Sequence, residues 1–245
     1  MNILTIMTVY NEMYFLPYKK KWCDINGLNL YVIDNMSNDG TWEWLKENKV
    51  PSHRIDTHGA FDLRALQYEI VKTVHSIKPD WVIYSGADLY HVSDRKLNIK
   101  IKEAQDEGFN MIWLQWFNFF NTGEKFNNNY FDTYYYYHPV KHPAILISKY
   151  HSSFKLEADK ILRKRKNVKK IEGIMVNYGN CKPVSQREDT LRRRKLAWKR
   201  GLLKAWGSHY LVGHEKGWKW NKHELYDIRQ TKQFKYIKQL QEWLK

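Results

Sequence analysis

Two short segments of this 245-residue chain place reactive side chains at the ends of apolar runs, and a third places a cation at the start of a helical one. In Leu30-Tyr31-Val32-Ile33-Asp34-Asn35-Met36-Ser37-Asn38-Asp39-Gly40-Thr41, a carboxylate and an amide stand side by side. That pair suits a group with both N–H and C=O, such as a pyrimidine base, or a ribose. In Trp81-Val82-Ile83-Tyr84-Ser85-Gly86-Ala87-Asp88, a lone carboxylate follows a flexible turn. Such a carboxylate suits a hard divalent cation, magnesium or manganese, whose shell is completed by diphosphate oxygens and waters. Arg64 falls in the first turn of a helical stretch, where the macrodipole disfavours a cation unless an anion docks there. Each has a plainer reading: Asn, Asp, Ser and Gly are ordinary turn formers, Asp88 is then a turn aspartate, and Arg64 an exposed arginine.

The elements that would position these groups alternate between strand and helix. Ile3–Val9, Leu30–Ile33 and Trp81–Ser85 read as buried strands, with a short third strand at Arg54–Thr57. Helices are expected over Tyr14 to Asp24, with Pro17 near the first turn, and from Thr41 to near Asn48. A further helix starts at Asp62, its cap, and carries the stripe Leu66, Ile70, Val74 and Ile77. In a parallel sheet the strand ends share one edge, so Thr8, Tyr10, Asp34 and Asp88 converge there although far apart in sequence.

The alternation fades after about residue 100. Asn110–Phe120, Ala144–Ile147 and Ile171–Val176 read as further strands. Between them lie a polar-aromatic loop (Asn127 to Tyr137), suited to a sugar acceptor or to edge packing, and a basic run from Lys160 to Lys170. Ser185-Gln186-Arg187-Glu188 fits a capping box, and Leu191, Trp198, Leu202 and Trp206 would give the next helix one apolar side against many cations. That pattern suits either a packed surface helix or a membrane surface. His209, His214 and His223 lack the spacing of a zinc site.

Composition argues for a globular chain with anionic partners. Hydrophobic residues make up 43%, enough for a core, while 41 Lys and Arg against 26 Asp and Glu leave a net charge of +15. Two cysteines, Cys23 and Cys181, provide no disulfide framework and favour a reducing compartment. No run approaches the roughly 18 apolar residues of a membrane span, and the apolar start reads as a first strand.

Taken together, Ile6-Met7-Thr8-Val9-Tyr10-Asn11-Glu12, Val32 to Thr41 and Trp81 to Asp88 resemble, in order and spacing, the motifs of family-2 glycosyltransferases of the GT-A fold. The resemblance covers roughly the first 120 residues. It implies an α/β fold: a GT-A-type Rossmann-like mixed sheet flanked by helices over residues 1–180, with a basic helical C-terminal extension over 181–245. Residues 1–120 would form the nucleotide-sugar half and 121–180 the acceptor half. The donor, a UDP-sugar first of all, would be held by Thr8, Tyr10, Asn11, Glu12, Asp34, Asn35, Asp62, Arg64, Ala87 and Asp88. Asp88 would bind a divalent metal, Mn2+ or Mg2+. The family's usual Asp-x-Asp is reduced here, since Gly86 holds the first position. Asn177 stands where some relatives have histidine, and the Glu-Asp base motif has no clear counterpart. Glu157 and Asp159 stand at a suitable distance to serve, with Glu172 behind them.

The expected activity is inverting transfer of a sugar to a glycan or lipid-linked acceptor, by a cytoplasmic protein at the inner face of an anionic membrane. Two other readings stand beside it. One is a polyanion-binding protein without catalysis, although no compact nucleic-acid module is present and no specific nucleic acid is expected. The other is an inactive relative of the same fold.

Overall fold

The computed structural model describes residues 1–122, 134–139, 144–154, 167–203 and 225–245. Strand β1 (Ile3–Val9) is buried along nearly its whole length. Its side chains alternate between two cores: Ile3, Met7 and Val9 enter one, Leu4 and Ile6 the other. A strand covered on both faces needs helices on both sides, and the chain supplies them. Helix α1 (Leu16–Ile25) buries Leu16, Trp22 and Cys23 on the first face. Helix α3 (Leu63–Ile77) covers the second, where Ile70 and Val74 meet Leu4, Ile6, Ile33 and Val82. Each such aliphatic side chain stabilises the fold by about 1.5–3 kcal/mol.

Parallel pairing sets the order of this half. Strand β1 lies between β2 (Asn29–Asp34) and β4 (Trp81–Tyr84), and β2 pairs with β3 (Ser52–Arg54), all parallel. Helix α2 (Thr41–Glu47) joins β2 to β3. The third strand thus precedes the span read from sequence, because Arg54 pairs with Asp34 and the chain then leaves the sheet.

The other half is largely antiparallel. Strand β5 (Leu89–Ser93) follows directly on Asp88, and helix α4 (Leu97–Asp106) leads to β6 (Met111–Phe120). Beyond β4 the sheet runs to β8 (Ala144–Lys149), β6, β7 (Tyr136–Pro139) and β10 (Tyr226–Asp227), each pair antiparallel. Strand β9 (Val168–Asn180) runs parallel to β6 and antiparallel to β5. This is the helix-flanked, Rossmann-like mixed sheet that the resemblance implies.

Two α-helices complete the described chain. Helix α5 (Val184–Lys199) begins at Pro183 with no side-chain cap, so the expected capping box does not form; the Gln186 amide donates instead to Asn11 O at 2.6 Å. Nor does α5 have a plain apolar side. Arg187 and Arg193 are buried on it beside Leu191 and Ala197, while Trp198 is exposed. Helix α6 (Phe234–Leu244) buries Tyr236, Ile237, Leu240 and Leu244 in the same core as β1 and α1. No described helix is long and apolar enough to cross a membrane.

Candidate functional site

Because β1, β2 and β4 are parallel, their carboxyl ends share one rim, as the sequence predicts. The residues after β1 are fastened there by the loop after β2. Three successive backbone N–H groups, of Asn11, Glu12 and Met13, donate to Ser37 Oγ, Thr41 Oγ1 and Asp39 Oδ2. The Asn11 side chain also bonds reciprocally with Asn38, donating to its Oδ1 and accepting from its N–H. Much of the polar signature around Asp34 therefore satisfies backbone that would otherwise be orphaned.

Two cavities open at this rim. The first, of about 170 Å3, is lined by Thr8, Tyr10, Asn35 and Phe61 and bounded by Glu12, Arg193, Arg194 and Lys182. The second, of about 410 Å3, is lined by Asp88, Trp116, Asn118, Asn177, Asn180 and Arg187, and Lys182 and Thr190 border it as well. Asn11 lines a third hollow, of about 180 Å3, with Tyr10, Glu12 and Gln186.

Of the residues expected from sequence, Thr8, Tyr10, Asn11, Glu12, Asn35 and Asp88 thus reach a described cavity. Asp34 does not: its fully buried carboxylate accepts from Arg54 Nε at 2.7 Å and from Ser37 N–H. Asp62 caps α3 through the N–H groups of Arg64 and Ala65, Ala87 is buried, and the Arg64 side chain is exposed outside the cavities. Glu157 and Asp159 lie outside the described residues. Glu172 is bound by Lys235 and Tyr236 of α6, five residues before Asn177 on β9.

Sequence reading missed the cations. The Lys182 ammonium lies between Glu12 Oε1, at 2.5 Å, and Asp88 Oδ2, at 3.1 Å. Burial works against its charge, but Asp88 and Glu12 outweigh it and hold the ammonium above the ordinary lysine range. Burial also pushes the Glu12 carboxyl up to about 7, opposed by Lys182 and reinforced by Asp88. The Arg193 guanidinium sits 3.5 Å from the centre of the Tyr10 ring, and that of Arg194 4.4 Å from Phe61. Arg193 Nε is buried and has no hydrogen-bond partner among the described residues. One local signal was readable: Lys182-Pro183 is the junction where a strand hands over to a helix.

Two glycines leave room for the Asp88 carboxylate. A Cβ at Gly86 would lie 2.6 Å from Asp88 Oδ1, and one at Gly179 2.8 Å from Asp88 Oδ2. Beneath the turn, the fully buried Lys19 ammonium donates to Ser85 Oγ at 2.8 Å and to Leu89 O. Burial lowers its pKa to about 8.

The two cavities and the cation between them suit the parts of one ligand. An aromatic ring, a hydroxyl and an amide suit a planar polar ring in the first. Asparagine amides and a tryptophan suit the hydroxyls and apolar face of a sugar in the second. Lys182 and the α5 arginines suit phosphate.

No family model matches the sequence, and no curated protein sequence matches it. Among solved structures, the chain is similar to S. aureus TarS with a TM-score of 0.47 at 12% identity, over 79% of this chain and 39% of that one. S. aureus TarS 1-349 in complex with UDP gives 0.43 at 12% identity, covering 79% of this chain and 64% of the other. HddC from Yersinia pseudotuberculosis gives 0.39 at 10% identity, covering 79% and 98%. The chain spans about two fifths of the full TarS structure. Likeness at this level lends no weight to a function, which the chain's own residues must carry.

Proposed function

We propose that this chain is a glycosyltransferase that moves a sugar from a nucleoside-diphosphate donor, a UDP-sugar first of all, to an acceptor hydroxyl. The observation that carries the reading is the row of ring-lined cavity, half-buried ammonium and amide-lined cavity at one sheet rim, with Lys182 bordering both spaces.

In this reading the base lies against Tyr10 and Asn35, and the diphosphate at Lys182, Arg193 and Arg194. The sugar then reaches the second cavity, where Asn118 and Asn177 bond each other at 3.0 Å and the buried Trp116 Nε1 has no partner among the described residues. As the glycosidic bond breaks, negative charge grows on the departing diphosphate, where fixed cations stabilise it most. A carboxylate, Glu157 or Asp159, takes the acceptor's proton, and the sugar is transferred with inversion. The exposed Arg192, Lys195 and Lys199 on α5 suit an acceptor at an anionic membrane surface.

The test is thermal stability of the full chain with UDP, GDP, CDP and dTDP and their sugars, followed by release of nucleoside diphosphate from whichever sugar stabilises it. Stabilisation by one nucleotide series, lost in Tyr10→Ala, is expected. No shift with any of them, together with tight and salt-sensitive oligonucleotide binding, would replace this reading with that of a polyanion-binding protein.

A further inference from the structure

The resemblance implies a divalent metal at Asp88, but the described residues around Asp88 do not fit one. Beside a diphosphate, magnesium or manganese needs one or two protein carboxylates free to face it, the remaining oxygens coming from phosphates and waters. Among the described residues, no three His, Cys, Asp or Glu side chains gather to hold an ion. Gly86 stands where a second aspartate would, and its missing side chain is the space that Asp88 Oδ1 occupies. Glu12 is close enough to share a cation with Asp88, but the cation it shares is Lys182 Nζ. A second ammonium, that of the buried Lys19, tethers both ends of the turn from below, which adds positive charge near where an ion would sit.

We propose that the Lys182 ammonium is the resident cation of this site, standing in place of a divalent ion, and that the donor's diphosphate binds to it without metal. The proposal rests on the donor-binding reading. An ammonium has three N–H donors. Two are directed to Glu12 and Asp88, which fix the side chain, and the third is left for a phosphate oxygen at the junction of the two cavities. A single charge is weaker than a divalent ion, and α5 supplies the balance: Arg193 and Arg194 border the first cavity and Arg187 the second. Lys182 is also the residue that leads into α5, so the cation and the arginines arrive on one continuous segment.

The test uses the full chain, with manganese and UDP, GDP, CDP or dTDP as probes. Manganese binding is read from the loss of its free-ion spin-resonance signal, and nucleotide affinity from calorimetry in EDTA and in excess manganese. The wild type is expected to bind no manganese alone, and its nucleotide Kd is expected to change less than twofold between the two buffers. Lys182→Met is expected to weaken nucleotide binding in EDTA by about 10–100-fold, the loss of a charge-assisted hydrogen bond. The same variant frees two carboxylates and is expected to gain manganese binding. Should it fail to fold, Lys182→Arg keeps a cation and is expected to retain metal-free binding within about tenfold. A wild type that binds nucleotide only with manganese, or binds manganese in a way that Asp88→Asn abolishes, would overturn the proposal and leave the donor reading standing. No binding of any nucleotide in either buffer would overturn both.

Discussion

The two walls of the cleft are built on opposite principles. The wall made by the strand ends is rich in carboxylates and amides, yet most of their polar atoms are spent on one another. Asp34 holds Arg54 and Ser37, Asn35 Oδ1 accepts from Thr57, and Asp39 accepts from Met13 and Thr41. The wall made by β9 and α5 is cationic, and it keeps Lys182 between two cavities and Arg193 Nε without a partner among the described residues. The first wall is a scaffold that fixes backbone; the second presents charge to a ligand. Acidic residues at a strand end therefore do not by themselves mark ligand contacts, and burial separates Asp34 from Asp88.

The largest expected effect tests the scaffold. Asp34→Ala removes the buried acceptor of the Ser37 N–H and of the half-buried Arg54 guanidinium, so unfolding free energy should fall by about 3 kcal/mol in urea titrations. Nucleotide affinity of the folded protein should change less than threefold. A large loss of affinity with unchanged stability would make Asp34 a ligand contact and erase the contrast between the walls.

The floor beneath Asp88 gives the next effect, as a pH dependence. His91 on β5 is buried, and burial, helped by the nearby Lys19 charge, lowers its pKa to about 3. In the unfolded chain it titrates near 6.5. Between these values the unfolded state binds more protons, so the contribution is complete above pH 6.5 and is lost as pH falls towards 3. The Glu12 carboxyl, raised by burial to about 7, acts in the opposite sense over the same range, so the His91 contribution is read as a difference: the stability of the wild type relative to His91→Gln should fall by about 2 kcal/mol between pH 6.5 and 5.

The cationic wall predicts the reverse pattern to Asp34. Arg193→Ala should weaken nucleoside-diphosphate binding about tenfold in calorimetry. Its backbone bond to Phe61 survives the change, as Phe61 N–H donates to Arg193 O, so the helix should stay docked. A variant that binds nucleotide as the wild type does would move the phosphates off α5.

The same contrast explains what the sequence disclosed. The parallel half was readable because its signals are local: apolar runs, an Asp62 cap that forms as expected, and polar turns at strand ends. The cationic wall was not, because little local beyond the following Pro183 separates Lys182 from the other 40 Lys and Arg of the chain. Its place follows from long-range register. Antiparallel pairing of β5 with β9 sets Asn177 opposite Leu89 and bonds Tyr178 N–H to Asp88 O, which brings the following lysine back over the carboxylate. The basic helix misled for a related reason. Its charge pattern suggested an outward cationic face, which Arg192, Lys195 and Lys199 do form, but it did not show that packing across the rim turns Arg187 and Arg193 inward. The metal reading rested on Asp88 alone, and the lysine that sits against it lies 94 positions further along the chain.

The smallest effect falls on Arg64, the cation on the scaffold wall that sequence position linked to an anion. Its side chain is exposed in the first turn of α3, Asp62 already caps that turn, and the first cavity is lined nearby by Phe61 and Leu66 instead. With no anion there, the positive end of the helix repels it, so Arg64→Ala should stabilise the protein by about 0.3 kcal/mol and leave nucleotide affinity within twofold. The two walls make opposite demands on this residue. If phosphate is gripped from β9 and α5, removing Arg64 relieves a small repulsion; if it is gripped from the start of α3, the same change costs affinity. Calorimetry on Arg64→Ala beside Arg193→Ala decides between them, because only one of the two arginines can show the larger loss.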